Sequence, residues 1–374
     1  MEPFKNNLSA TLVALIGDQL SQQLQDFDRD HFEKTILATL PGLELKQRAQ
    51  LIADQMHRVL PTATTKRAKI ITALLHPRGK EKAQQSDQQG ITGWGMLPLG
   101  MLIGQYGIDD FDESLQLLKE MTGHFSSEFD VRYYLMNDQP RALAIMAKWV
   151  DDPDVHVRRL LSEGTRPRLP WGMQLPQLIV DPSPMLPLLH ALRDDDDEYV
   201  RRSVANHLND IAKDHPELVA NIAKDWLRGA SPAREKLLRH ACRTLIKQGH
   251  KATLKAFGYA PPKVEIKTLA IVDKELTLGH ALTFSATIHS TSQQQQSLVI
   301  DYIMYFKKAN GSTTGKVFKW KKVSLPAFET LVIDKSHRIK TITTRRYYAG
   351  EQGLSLRING QDFGDQKFQL LIAD

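Results

Sequence analysis

The feature that most constrains the fold of this chain is a repeated segment. The stretches "DPDVHVRRLLSEG" and "DDDEYVRRSVANHL" superimpose with Val157 over Val200, 43 positions apart. Repeats built from a pair of helices have periods of about 40 to 47 residues. Each copy starts with acidic residues, which favour the positive end of a helix, and continues with an apolar stripe, in the first copy Val157, Leu160 and Leu161. The repeat predicts a curved stack of helix pairs.

The residue pattern changes near position 261. Before it, apolar residues recur at helical spacing. After Pro262, short alternating runs rich in β-branched and aromatic residues predict seven strands, some of them separated by turn residues such as Asn310-Gly311. Seven strands in about 110 residues are typical of an immunoglobulin-like sandwich. We therefore predict an all-α HEAT-like helical repeat solenoid over residues 1–260, followed by an all-β immunoglobulin-like sandwich over residues 263–374.

Composition excludes several classes of protein. Cys242 is the only cysteine among 374 residues, so this chain alone builds neither a disulfide framework nor a thiolate metal site. No apolar run approaches the roughly 20 residues that cross a bilayer, and the first residues lack the pattern of a signal peptide. His207 and His215 lie on one predicted helix, but their spacing does not suit a zinc site. We expect a cytoplasmic monomer with no metal, no cofactor and no membrane contact.

The excess of positive over negative charge lies in the predicted sandwich. Residues 263–374 contain 16 lysines and arginines against 10 acidic residues, which accounts for the whole formal net charge of +6. Such a module favours either a polyanion partner or a basic face that is simply solvated. Within it, "FKWKK" interleaves Phe318 and Trp320 with Lys319 and Lys321. We expect the aromatic residues to face the core, and the two lysines are candidates for phosphate contact.

The stretch "VRRLLSEGTRPRLPWG" places several arginines, a glutamate and a tryptophan at the end of a predicted repeat helix. The helix is expected to stop near Gly164, before a proline-bounded loop. Spacing by four puts Arg159 and Glu163 on one face, away from the buried stripe. The arginines either pair with acids of neighbouring repeats or bind phosphates along a groove, and for the cluster we favour the groove. The candidate nucleic-acid-binding residues are Arg158, Arg159, Arg166, Arg168, Arg201, Arg202, Asn206, Lys319 and Lys321.

Several segments carry a specific family resemblance. "GWGMLPLG", "SSEFDVRYYL", "VRRLLSEGTRPRLPWG" and "YVRRSVANHLNDIAKDHP" resemble the bacterial DNA alkylation repair glycosylases of the AlkC type, which are related to AlkD. The resemblance runs through most of the predicted helical domain. It implies HEAT-like repeats that clasp duplex DNA, and a monofunctional glycosylase of base excision repair. The implied activity is excision of cationic N3-methylated bases, 3-methyladenine and 3-methylcytosine, without base flipping and without a cofactor. Some members carry an added immunoglobulin-like domain.

The resemblance also assigns roles to three residues of this sequence. Glu163 matches the active-site glutamate of the SEG motif, Glu128 the second acid in the EF motif, and Trp171 the tryptophan that packs on the deoxyribose. Carboxylates suit this chemistry because they stabilise a sugar that develops positive charge and they position a water. The alternative is a noncatalytic scaffold of repeats and sandwich that binds DNA or protein, since repeat proteins commonly act as binding surfaces.

Overall fold

The computed structural model describes residues 3–77, 85–343 and 345–372. The α-helices of these residues are α1 (Ala10–Gln23), α2 (Arg29–Leu37), α3 (Leu45–Val59), α4 (Thr64–Leu74), α5 (Met96–Tyr106), α6 (Phe111–Met121), α7 (Val131–Asn137), α8 (Gln139–Met146), α9 (Val155–Gly164), α10 (Pro176–Val180), α11 (Leu186–Leu192), α12 (Glu198–Ile211), α13 (Pro216–Trp226), α14 (Pro232–Ala241), α15 (Arg243–Gln248) and α16 (Lys251–Ala256). The strands are β1 (Val264–Ile271), β2 (Glu275–Thr277), β3 (Ala281–Ser290), β4 (Gln296–Lys307), β5 (Thr313–Leu325), β6 (Thr330–Arg338), β7 (Gly350–Ile358) and β8 (Gln361–Leu371). No helix in the described ranges is long and apolar enough to span a bilayer.

The two copies of the repeated segment form α9 and α12, which pack against each other. Both helices begin after an aspartate whose carboxylate accepts the backbone N–H two residues on, Asp154 at 2.9 Å and Asp197 at 2.8 Å. These caps satisfy donors that the first helical turn leaves unpaired. The equivalent residues Val157 and Val200 are both buried, as the period predicts. The predicted helical repeat is therefore confirmed.

The strands form two sheets that face each other. One sheet has the order β1-β3-β6 and the other β2-β8-β7-β4-β5. All seven predicted strands are present, and the three-residue β2 was not predicted. The core between the sheets is aromatic and aliphatic, with Phe284, Tyr302 and Phe368 among its buried members. The Asn359-Gly360 turn joins β7 to β8 with both residues at positive φ, 43° and 81°, as a tight two-residue hairpin requires.

The chain divides into two compact units, residues 1–214 and 215–374. Helices α13 to α16 therefore belong to the same unit as the sandwich. In that unit Asn359 Nδ2 donates to the Ala260 carbonyl oxygen at 2.8 Å. The switch from helix to strand itself falls between Ala256 and Val264. A domain boundary at position 261 stays a prediction.

Candidate active site

Helix α9 places Glu163 one residue before its own end at Gly164. The predicted stripe of α9 is buried, with Val157, Leu160 and Leu161 at most 3 % exposed. Glu163 is also buried, at 5 % exposure, although its spacing placed it on the face away from the core. The reason is that α12 packs on α9 and covers part of that second face.

Both oxygens of the Glu163 carboxylate accept hydrogen bonds. Arg166 Nη1 donates to Oε1 at 2.6 Å, and the Ser203 hydroxyl donates to Oε2 at 2.6 Å. A second guanidinium, that of Arg159, lies 3.5 Å from Oε1. Burial alone would raise the pKa of Glu163, but the charges of Arg159 and Arg166 and these hydrogen bonds outweigh it and lower the pKa. Glu163 is therefore held as an anion inside the protein.

Glu128 is joined to Glu163 through Arg159. Arg159 Nη1 donates to Glu128 Oε2 and, at 2.7 Å, to the Ser126 hydroxyl. Ser126 in turn donates to Glu128 Oε2 at 2.8 Å. The Arg159 guanidinium also lies over the ring of Tyr199, 5.0 Å from its centroid, a cation–π contact. The structure thus brings together the two acids that the motifs single out, although 35 positions separate them in the sequence.

Asp210 completes this group of charges and was not predicted from the sequence. Arg166 Nε donates to Asp210 Oδ2 at 2.8 Å, and Lys213 Nζ donates to Oδ1 at 3.0 Å. Asp210 is 2 % exposed and lies two turns after Ser203 on α12. The sequence carried one signal for Asp210: its carboxylate occupies a buried position of an amphipathic helix. A buried carboxylate requires a charged or hydrogen-bonding partner.

Trp171 lies in the loop that follows α9 and is exposed, as the sequence suggested. The side chain is 65 % exposed, and the residue has a φ of 65°. We call residues 165–175 the tryptophan loop. The Leu175 N–H donates to the Pro167 carbonyl oxygen at 3.0 Å, and this bond brings the two ends of the loop together. The exposed indole and the partly exposed Glu128 belong to the same compact unit.

Arg132 anchors the tryptophan loop from the inside. It is fully buried and donates to the carbonyl oxygens of Gly164 at 2.7 Å, Arg166 at 2.9 Å and Met173 at 2.6 Å. Burial lowers its pKa to about 10, so it stays a cation at neutral pH. Carbonyl dipoles from both ends of the loop therefore stabilise its charge.

The remaining arginines of the repeat are engaged with acids or carbonyl groups. The contacts are Arg158 to Asp195 at 2.6 Å, Arg168 to Asp214 at 2.8 Å, Arg202 to Glu198 at 2.9 Å, and Arg201 to the Asp195 carbonyl oxygen. The Arg202 side chain is 64 % exposed, and Asn206 is half-buried. Arg158 and Arg168 connect α9 and the tryptophan loop to acids in later segments. Such pairing with acids was one of the two alternatives that the sequence left open. Their contact with DNA stays a prediction.

A β-bulge changes the expected placement of the lysines on β5. On β5, Lys319 pairs with Asp301 of β4, Lys321 with Ile300 and Lys322 with Val299. The register shifts between the first two of these pairs. Cross-strand partners share a face. Lys319 and Lys322 therefore share one face of β5, and Lys321 lies on the other, which differs from the simple alternation along the sequence. Both predicted lysines are exposed.

Histidine and acid clusters of the metal-binding kind are not found within the described ranges. His207 is buried on α12, and its Nδ1–H donates to the Ser162 carbonyl oxygen at 2.9 Å. Burial lowers the pKa of His207 to about 4, so this residue is neutral at pH 7. It fastens α12 to α9 beside the acids.

These observations define a class: a helical-repeat protein with a C-terminal immunoglobulin-like sandwich and a buried, arginine-held acid in its repeats. The family model described as "Uncharacterised protein YhaZ, C-terminal Ig-like domain" matches residues 265–372. The protein YhaZ of Bacillus subtilis (strain 168) is 34% identical over 372 residues, covering 99% of this chain and 100% of the relative.

A solved structure is similar over the same length. It is that of Pseudomonas fluorescens alkylpurine DNA glycosylase AlkC bound to DNA containing an abasic site analog. The TM-score is 0.86 at 34% identity, covering 99% of this chain and 100% of that one. This chain belongs to the AlkC-type family, as the sequence resemblance indicated.

Proposed function

We propose that this protein is a monofunctional DNA glycosylase that removes cationic N3-methylated bases, 3-methyladenine and 3-methylcytosine, from alkylated duplex DNA. The observation that carries the proposal is the linked pair of acids, Glu128 and Glu163, in the unit that also carries the exposed Trp171. The full-length similarity to an alkylpurine DNA glycosylase supports it. The chemistry needs neither a metal nor a nucleotide cofactor.

A base methylated at N3 carries a positive charge before any catalyst acts. When the C1′–N bond breaks, its electron pair moves to the base, which leaves neutral, and the positive charge passes to the sugar. Fixed carboxylates stabilise this developing charge strongly where water is excluded. Glu163 suits the role because two guanidiniums and a hydroxyl hold it ionised in a buried position.

Glu128 is the better candidate to position the attacking water. Its Oε2 accepts from Arg159 and Ser126, whereas Oε1 accepts no hydrogen bond among the contacts of the described residues. The side chain is 15% exposed, so a water can reach it. Glu128 Oε1 would accept a proton from the water as the oxygen adds to C1′, which leaves an abasic site.

The exposed indole of Trp171 supports excision without base flipping. An aromatic side chain that stands out from the surface can pack on a deoxyribose that remains in the duplex, whereas a flipping enzyme encloses the base in a pocket. A duplex with 2-aminopurine beside the lesion tests this, because unstacking raises its fluorescence. We expect no rise on binding.

The basic residues of the second unit support duplex DNA as the partner. The net charge of +6 in residues 263–374 would attract a phosphate backbone in a salt-dependent manner. Lys319 and Lys321, both exposed, are the proposed contacts.

The decisive experiment is single-turnover incubation with a duplex that carries one 3-methyladenine or 3-methylcytosine, followed by alkaline cleavage at abasic sites. We expect release of the base and an unbroken strand before alkali, with Glu128→Gln as the impaired variant and the exposed Glu113→Gln as its matched control. Persistence of both lesions at excess enzyme would favour the noncatalytic scaffold. Covalent trapping with borohydride would contradict the monofunctional mechanism.

A further inference from the structure

We infer that Lys46 is a positioning residue for Trp171: it holds the Trp171 backbone and so fixes the tryptophan loop against the segment that carries Glu128. The inference rests on the proposed function for its kinetic consequence, but its structural part can be measured without catalysis. Lys46 belongs to α3 and is 125 positions from Trp171.

Trp171 needs an external constraint on its backbone. Its φ of 65° lies in the left-handed region, which is unfavourable for a residue with a Cβ. A side chain that is 65 % exposed supplies little packing in return. A residue in this conformation persists only where the surrounding structure determines it.

Two cations supply that constraint from different helices. Arg132 of α7 holds the carbonyl groups at both ends of the loop, as described above. None of these three carbonyl groups is that of Trp171. The Trp171 carbonyl oxygen instead accepts a hydrogen bond from Lys46 Nζ.

Lys46 also reaches the segment of the second acid. Its ammonium lies 6.0 Å from the centroid of the Phe129 ring, and Phe129 directly follows Glu128. One side chain thus contacts both the tryptophan loop and the residue beside Glu128. The distance between the indole and the Glu128 carboxylate depends on this contact.

The position of Lys46 on α3 is consistent with a role outside its own helix. It is the second residue of α3 and is exposed. A cation in the first turn of a helix is unfavourable for the helix dipole and so does not stabilise the helix. Replacing Lys46 should therefore leave α3 folded.

Lys46→Met tests the inference, with Lys46→Arg as the conservative variant. Lys66→Met is the matched control, because Lys66 is another exposed lysine in the first turn of a helix, α4. The first readout is the ¹⁹F spectrum of 5-fluorotryptophan-labelled protein, with the Trp171 resonance assigned from Trp171→Phe. We expect Lys46→Met to shift or broaden that resonance alone, and Lys66→Met to leave it unchanged.

The second readout is excision at saturating enzyme. We expect Lys46→Met to lower the single-turnover rate by about tenfold or more, since small misplacements of a substrate-contacting group have effects of this size. Affinity for undamaged duplex and its salt dependence should not change, and Lys46→Arg should restore most of the rate.

Two results would overturn the inference. One is an unchanged Trp171 resonance in Lys46→Met. The other is a normal rate at saturation together with weaker binding and a salt slope reduced by about one unit, which would make Lys46 a phosphate ligand. If the wild type releases no base, the proposed function fails, while the ¹⁹F spectra still decide whether Lys46 holds Trp171.

Discussion

Glutamine substitutions at Glu163 and Glu128 should have different effects on stability, because the two acids differ in burial and in their contacts. Both changes keep the shape of the side chain and remove its charge. Glu163 is 5 % exposed and accepts hydrogen bonds at both oxygens. Glu128 accepts through Oε2 only and is more exposed.

The expected magnitudes follow from these contacts. In Glu163→Gln the amide oxygen can accept from Arg166 while the NH₂ donates to the Ser203 hydroxyl oxygen, but the bond from Arg166, worth about 1.5–3 kcal/mol to a charged acceptor, is weakened. Breaking a buried ion pair costs about 3–5 kcal/mol, but Arg166 keeps its bond to Asp210. We expect a net loss of about 2–4 kcal/mol, or a melting temperature lower by about 5–15 °C for a unit of this size.

Glu128→Gln should be nearly neutral for stability, because the amide oxygen can take the place of Oε2. We expect less than about 1 kcal/mol. Both variants should excise at least about 10²-fold more slowly, by comparison with the loss of other preorganised charged groups. Neither should weaken binding to undamaged DNA, since each removes a negative charge.

Differential scanning calorimetry and single-turnover excision measure the two effects separately. Glu113→Gln, an exposed acid on α6, is the control for a simple change of charge. Equal losses of melting temperature in both glutamine variants would refute the conclusion that Glu163 is the more buried and more strongly bonded of the two acids. A normal excision rate in Glu128→Gln would remove Glu128 from the chemistry.

Three further substitutions test separate features. Trp171→Ala should slow excision by the equivalent of about 1–3 kcal/mol, if packing on the deoxyribose is worth as much as an aromatic–base stack, at an unchanged melting temperature; a normal rate would exclude the indole from the site. Burial, and to a smaller extent the charge of Glu128, raise the pKa of Asp130 to about 8. The native protein therefore loses stability as the pH rises from the ordinary pKa of a carboxyl group toward 8. The difference in unfolding free energy between Asp130→Asn and the wild type, measured in urea titrations, should therefore shift in favour of the variant by up to about 1.4 kcal/mol per pH unit between pH 5 and 7. A difference that does not depend on pH would contradict this. Lys319→Gln should lower the salt slope of DNA binding by about one unit, whereas an unchanged slope would separate Lys319 from the phosphates.

Local patterns predicted most of the fold. The period between Val157 and Val200 predicted α9 and α12, because a repeat helix must bury the same stripe in each copy. Alternation predicted the long strands of the sandwich. It could not predict β2, since three residues carry no periodicity and β2 exists through its pairing with β8. The alternation also failed at β5, where one extra residue in a bulge transfers a lysine to the other face.

The candidate site was less predictable, because its contacts are long-range. The spacing of Arg159 and Glu163 correctly put them on one face of α9, but it contained no information on the α12 residues that cover Glu163. Ser203 and Asp210 approach α9 only because the next repeat packs there. Lys46 comes from a helix far earlier in the chain. Motif resemblance found the acids, and only the fold shows what holds them.

Arg159 illustrates why a phosphate-binding role cannot be assigned to these arginines from their number alone. Its guanidinium contacts Glu128, lies near Glu163 and packs on Tyr199. The charge of Arg159 is one of the two guanidinium charges that lower the pKa of the buried Glu163 carboxyl against the effect of burial. Arg159 therefore maintains the charge of Glu163, on which the proposed chemistry depends, and we expect its loss to slow base release.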